Sequence, residues 1–407
     1  MFTSDFFKTN RQNLKKLLKG DGLVALTANG SLQRNNDFAY PFRQDSSFFY
    51  LTGIEEPNVV LVMDLLSDEE FLILPMQSAV ELYFGGATNR DKIANISGIK
   101  TMYMQKEGWA QFANLQANRK KIYSLLAPPV QFTRQERLFA SPARRVFLQK
   151  VKRLSKLPIE SLQTQVVGLR MVKQPEEIAA TRRAIEVTGM GLEAIRNKLK
   201  PGVYEYELEA EIDYAFKKQN TGHAFGPPIV AGGVNTTVLH YQANDARLKK
   251  DDLLLLDVGA EIHNYSADIS RTYKVAGTLT ARQQAVYEAV LMVHQASIKL
   301  LKPGVLWRDY AVQVDELMGE QLIKLQLITH NSRSNVRPFF PHSIGHSLGL
   351  DTHDPFDYTQ PIQENMLFAI EPGIYIPDEA IGVRIEDDIL VTKNGALNLS
   401  ADIPYVC

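Results

Sequence analysis

The sequence predicts two domains, an α/β amino-terminal half over residues 1–168 and a second half of helices and paired strands over residues 169–407. Three observations carry that prediction. Short apolar runs separated by turn residues and helical stretches begin near Gly22, as interleaved strands and helices do. A helix-start signal follows Gly168, and 407 residues exceed what a single core usually holds.

Residues 1–20, MFTSDFFKTNRQNLKKLLKG, spread basic residues among apolar ones and read as an amphipathic helix. Asp5 breaks the basic-then-apolar layout of a signal peptide. GLVAL, NVVLVMDLL and FLILP read as strands, and YPFRQDSSFFYLTG, residues 40–53, as a loop packed under aromatic side chains. Pro175, Glu176 and Glu177 suit a first helical turn, where a missing N–H costs nothing and acidic groups favour the positive end of the dipole. Ile178, Ala179, Ile185 and Val187 continue that helix to a stop at Pro201 and Gly202. Another helix over residues 206–218, strands over 228–230 and 253–258, and a long helix after Ala281 complete the outline, with no internal repeat or low-complexity tract.

Composition narrows the function. Apolar residues make up 45% and charged residues 22%, the balance of a soluble globular protein, and a net charge of -1 leaves no electrostatic footprint for nucleic acid or an anionic membrane. The one cysteine, Cys407, supports neither a disulfide framework nor a thiolate metal site. With no apolar run long enough to span a bilayer, the expected compartment is the cytoplasm.

The chemistry concentrates around PHSIGHSLGLDTHD, which holds three of the eight histidines. His342 and His346 are four apart, one face of a helix, yet Gly345 and Gly349 leave a turn or a single distorted turn equally open. In LLLLDVGAEIHNYSADISRTY a hairpin centred between Ile262 and His263 would set Asp257 directly opposite Asp268. Two ionised carboxylates about 5 Å apart repel by roughly 3 kcal/mol at an effective dielectric near 20, so a cation belongs between them unless both face water at strand ends. Glu386 and Asp388 share a strand face opposite Asp387, and Glu371 ends an apolar strand where a carboxylate needs a partner. Carboxylates with one imidazole suit Mn²⁺, Mg²⁺, Co²⁺ or Zn²⁺. Four carboxylates to one histidine carry more charge than one ion neutralises, which points to two ions about 3.5 to 4 Å apart and to hydrolysis.

DVGAE, ADISRT, PHSIGHSLGLDTHD, IEPGIY and RIEDD, in that order, resemble the signature of the pita-bread (creatinase/aminopeptidase) metallopeptidases, which include methionine aminopeptidase, prolidase and aminopeptidase P. YPFRQDSSFFYLTGIEEPN resembles the smaller domain of aminopeptidase P, so the resemblance covers nearly the whole chain. It implies an α/β amino-terminal domain followed by an α+β pita-bread catalytic domain. By motif it implies that Asp257 holds one metal, that Asp268 and Glu386 bridge two, and that His346 and Glu371 complete the second. The implied activity is that of an Xaa-Pro aminopeptidase, attacking with a metal-bridging water or hydroxide on peptides with proline second. An Xaa-Pro dipeptidase is the near alternative, and a non-enzymatic binding protein on the same fold a third reading.

Glu371 would accept the proton, and His353 with His342 would meet the oxyanion or the leaving nitrogen. His240 would line the cleft, and Arg384 would orient Glu386 or bind substrate. The resemblance further implies two divalent ions, expected to be Mn²⁺, and a homodimer or homotetramer. AGGVN at residues 231–235 and the short connection between Tyr375 and Arg384 depart from the family pattern without touching an implied ligand, and bear on the shape of the cleft rather than on the metal chemistry.

Overall fold

The computed structural model describes residues 2–18, 20–128 and 138–405; Cys407, the lone cysteine, lies outside the described residues. Two compact units divide the chain, Met1–Leu169 and Arg170–Cys407.

In the first unit a six-stranded mixed sheet runs in the spatial order Met102–Met104, Glu70–Leu74, Val60–Asp64, Leu23–Thr27, Ile122–Ser124, Ile159–Ser161. Leu23–Thr27 pairs antiparallel with Val60–Asp64 and parallel with Ile122–Ser124. Its central strands are buried on both faces, which is why GLVAL and VVLVMD read as unbroken apolar runs rather than alternating ones. Helices Gln105–Leu115 and Ala143–Leu154 bring Trp109, Phe112, Phe147 and Val151 against Leu23, Val62 and Ile73.

The expected amino-terminal helix forms over Ser4–Leu18, and buried Arg11 fastens it, giving Glu70 hydrogen bonds of 3.0 and 2.8 Å and the Leu51 and Ser97 carbonyls bonds of 2.8 and 2.9 Å. Residues 40–53 differ from expectation: Ser46–Thr52 is a fully buried helix rather than a loop. Asp45 caps it, accepting from the Ser47 and Phe48 N–H groups at 3.1 and 3.0 Å. Gly53 ends it at φ 66°, where an added Cβ would lie 2.3 Å from the Phe7 ring.

The second unit is α+β. Helix Pro175–Arg196 begins with proline at its first turn, as its sequence predicts, and packs on Glu205–Lys218; Ala281–Leu300 packs on Trp307–Lys324. Its strand pairs are antiparallel. Ile229–Gly232, Leu253–Val258 and Ile269–Lys274 form one sheet; Gly345–Ser347, Leu367–Ile370, Asp387–Thr392 and Gly395–Asn398 form another; Gly373–Ile376 and Ile381–Arg384 make a hairpin.

Two local expectations are corrected. The chain turns at His263 and Asn264, φ 51° and 65°, not between Ile262 and His263. Asp257 therefore faces Ser270, and the expected direct opposition to Asp268 is not formed. A slip of two residues keeps the same sheet face, so the two carboxylates remain on one side. The segment around His346 is neither helix nor turn but the strand Gly345–Ser347. Gly345 is required there, because a Cβ would approach the Ala369 carbonyl oxygen to 1.9 Å.

Candidate metal centre

Five side chains converge from strands and their ends. Asp257 belongs to Leu253–Val258, Asp268 immediately precedes Ile269–Lys274, and His346 is central in Gly345–Ser347. Glu371 lies between Leu367–Ile370 and Gly373–Ile376, and Glu386 between Ile381–Arg384 and Asp387–Thr392. Donor atoms of Asp268, His346 and Glu386 lie within 4.8 Å of one another. His346 Nε2 is 3.4 Å from Asp268 and 3.9 Å from Glu371.

Neighbouring groups fix which atoms stay free. The Ser347 carbonyl, 3.2 Å from His346 Nδ1, can only accept, so the proton belongs on Nδ1 and the Nε2 lone pair faces the carboxylates. Arg384 donates to Asp257 Oδ2 at 2.7 Å, whereas Asp257 Oδ1 is buried and finds no hydrogen bond among the described residues. Ser270 joins Arg384 to the cluster, its hydroxyl 2.8 Å from Nε of Arg384 and donating to Glu386 at 2.7 Å. Arg384 thus grips Asp257 directly and reaches Glu386 through Ser270.

The electrostatics are those of crowded anions. Burial, then repulsion from Asp257, Asp388 and Glu371, pushes the Asp268 carboxyl well above its ordinary value. Burial and the Asp268, Glu371 and Asp257 charges do the same to Glu386, against the pull of Arg384. Glu371 is raised by burial and Asp257, with His346 and Arg384 opposing. Asp388, also raised by burial, accepts from the Asp268 N–H at 3.2 Å, and its Oδ1 is buried without a partner among the described residues. Unpaired buried oxygens and raised carboxyls are a donor set that a cation completes.

The remaining histidines differ from one another. His353 is exposed, its ring centroid 4.1 Å from that of His346. His342 places Nδ1 2.8 Å from the Ser343 carbonyl and Nε2 2.8 Å from the Tyr375 hydroxyl. Burial, with Arg384, Arg337 and His240 nearby, holds its imidazole down at about 3, so it is neutral near pH 7. Nδ1–H then donates to Ser343, and Tyr375 donates to Nε2 while accepting from Arg384 at 3.1 Å. His240 is exposed beyond the short helix Gly233–Thr237.

Sequence reasoning did not single out Tyr375 or Ser270, though each stood inside a quoted motif. Ser270 was findable, because alternation puts it on the face of Asp268. Also missed was the group behind the site, where Asp387 takes hydrogen bonds from Arg271, Ser400, Asn398 and Tyr405 at 2.7 to 2.8 Å. Beside His353, Asp354 pairs with Arg170 at 2.5 Å and Lys173 at 2.9 Å.

Buried carboxylates around one imidazole on an antiparallel α+β frame define the class of divalent-metal hydrolases. The chain belongs to metallopeptidase family M24, whose model matches residues 179–393, and the aminopeptidase P N-terminal domain model matches residues 7–123. It is 32% identical to the Xaa-Pro aminopeptidase of Escherichia coli over 98% of this chain and 94% of that protein. It is also 32% identical to Xaa-Pro aminopeptidase 3 of Rattus norvegicus, over 94% and 79% respectively. Among solved structures, E. coli aminopeptidase P with the inhibitor Pro-Leu superimposes with TM-score 0.86 at 30% identity, covering 98% of this chain and 95% of that one. These matches establish the α/β amino-terminal domain followed by the pita-bread catalytic domain.

Proposed function

We infer that this chain is an Xaa-Pro aminopeptidase, a metallo-exopeptidase that hydrolyses the bond between the first residue of a peptide and a penultimate proline. The observation that carries the reading is end-to-end similarity: both halves match, and the relative at 32% identity is covered over 94% of its length. Because those relatives are aminopeptidases, an Xaa-Pro dipeptidase is not favoured.

Asp257, Asp268, His346, Glu371 and Glu386 are the proposed ligands. Four carboxylates against the single guanidinium of Arg384 leave three negative charges, more than one divalent ion offsets, which supports two. Mn²⁺ is the proposed ion, matching oxygen-rich donors with one nitrogen. When bound, the ions polarise the scissile carbonyl and acidify water. Glu371, raised by burial, takes the proton released on attack and holds it for the leaving nitrogen. Arg384 occupies one oxygen of Asp257 and leaves the other as donor. His353 and His240, both exposed, are the proposed contacts to substrate, and His342, bonded on both ring nitrogens, positions Tyr375 and Arg384.

Assembly into a homodimer or homotetramer is part of the proposal. Helix Ala79–Gly85 buries none of its residues and exposes Val80, Tyr83 and Phe84, an apolar face suited to a second copy. No helix among the described residues is long and apolar enough to cross a membrane, and the proposed compartment is the cytoplasm.

The test is turnover of metal-stripped protein titrated with Mn²⁺, Co²⁺ and Zn²⁺ on an Xaa-Pro-Xaa tripeptide. Release of the first amino acid supports the reading; cleavage confined to Xaa-Pro dipeptides overturns it. Sedimentation of a fully active monomer would refute the assembly.

A further inference from the structure

Within the amino-terminal unit lies a cavity of about 320 Å³, at the small end of the range for small-molecule sites. Thr27, Ile73 and Leu74 line it, so it opens outside the carboxyl ends of the strands Leu23–Thr27 and Glu70–Leu74, where open α/β sheets place ligands. Its other wall is one face of the helix Ala143–Leu154, formed by Ala143, Val146, Phe147 and Lys150 at spacings of three and four. Trp109 completes the apolar lining.

The charge inside is one-sided. Among the described residues, Lys150 is the cationic side chain of the lining, no aspartate or glutamate lines the cavity, and no carboxylate pairs with Lys150. Its ammonium rests 4.5 Å from the centroid of the Trp109 ring, an aromatic face rather than an anion. Burial, with no opposing carboxylate, lowers the Lys150 pKa. The helix start adds to this field: Pro142, its N-cap residue, offers no side-chain acceptor, the Ala143 N–H reaches Ser141 Oγ at a long 3.4 Å, and all three residues line the cavity.

We propose that this cavity binds a small apolar carboxylate, its anion on Lys150 and its body between Trp109, Phe147 and Ile73. A free amino acid fits less well, because its ammonium would find no acid among the described lining residues. A cavity of this size suits a small molecule rather than a folded partner. This site is independent of the peptidase reading.

The test is calorimetric titration of the full-length protein with 3-phenylpropionate and, in parallel, its neutral amide. Saturable binding of the acid is expected, weakened about tenfold or more both in the amide and by Lys150→Met, the equivalent of one charge-assisted hydrogen bond. Trp109 emission, read in a Trp307→Phe background, should change with the same dissociation constant, and thermal melts check that both variants fold. Equal binding of acid and amide, or an affinity untouched by Lys150→Met, would place the probe elsewhere, for instance at the metal centre, and overturn the proposal. A Trp109 signal that depends on protein concentration and ignores added probe would assign the cavity to a second copy of the chain, and would also overturn it.

Discussion

Glu386→Gln removes one charge and almost no volume at the most crowded point of the carboxylate cluster. Glutamine keeps a carbonyl oxygen for the Ser270 hydroxyl, which donates to Glu386 at 2.7 Å, so packing and hydrogen bonding survive. What disappears is repulsion. Donor atoms of Asp268 and Glu386 lie within 4.8 Å, a separation at which two charges repel by ~3.5 kcal/mol at an effective dielectric near 20. Partial protonation already relieves some of that, so the metal-free variant should gain ~1–2 kcal/mol near pH 7, or ~2–8 °C for a unit of this size. The pH dependence follows from the raised carboxyls. A carboxyl whose folded pKa exceeds its unfolded value, about 4, binds more protons folded than unfolded. Stability of the chelated protein therefore falls as pH rises from the unfolded pKa through the elevated folded one. The variant should show a flatter profile, and adding Mn²⁺ should raise the wild-type melting temperature while leaving the variant nearly unmoved. Thermal melts across pH, in chelator and in Mn²⁺, read both effects. A chelated variant no more stable than wild type near neutrality, or as responsive to Mn²⁺, would refute the electrostatic argument.

Tyr375→Phe removes the hydroxyl between Arg384 and His342 and leaves the ring, so kcat on a proline-containing tripeptide should fall ~10–100-fold with little change in KM, measured by steady-state kinetics. Gly345→Ala drives a Cβ to 1.9 Å from the Ala369 carbonyl and should lower stability by ~3 kcal/mol or more, seen as a lower melting temperature or loss of soluble protein. Arg11→Met leaves Glu70 with Lys15, 3.4 Å away, strips the Leu51 and Ser97 carbonyls of their donor, and should destabilise the amino-terminal unit by ~2–3 kcal/mol in chemical denaturation.

Much of this protein was legible in its sequence, for reasons that differ along the chain. The strands at Leu23, Val60 and Glu70 announce themselves because a doubly covered sheet needs continuous apolar runs. Proline followed by two glutamates marks the helix at Pro175 through the chemistry of a free helix end. Asp257, Asp268, Glu371 and Glu386 stood out because acids ending greasy strands demand an explanation. Failures came where spacing underdetermines conformation. A two-residue turn at His263 and Asn264 moves every pair by two positions. A spacing of four from His342 to His346 fits a helix as well as the loop and strand that form. Asp45 as a cap is visible only when the buried aromatic run after it is allowed to be helical. The bond between Arg384 and Asp257 spans 127 positions, beyond the reach of any local pattern.

Because its five proposed ligands lie on or at the ends of strands scattered from Asp257 to Glu386, the metal centre has no local precursor. A chain still missing the pairing of Gly345–Ser347 with Leu367–Ile370, or of the latter with Asp387–Thr392, offers an ion no more than isolated pairs of weak donors. With this proposed ligand set, ion capture would come late in maturation and certify it, so that bound metal would mark chains that have completed folding.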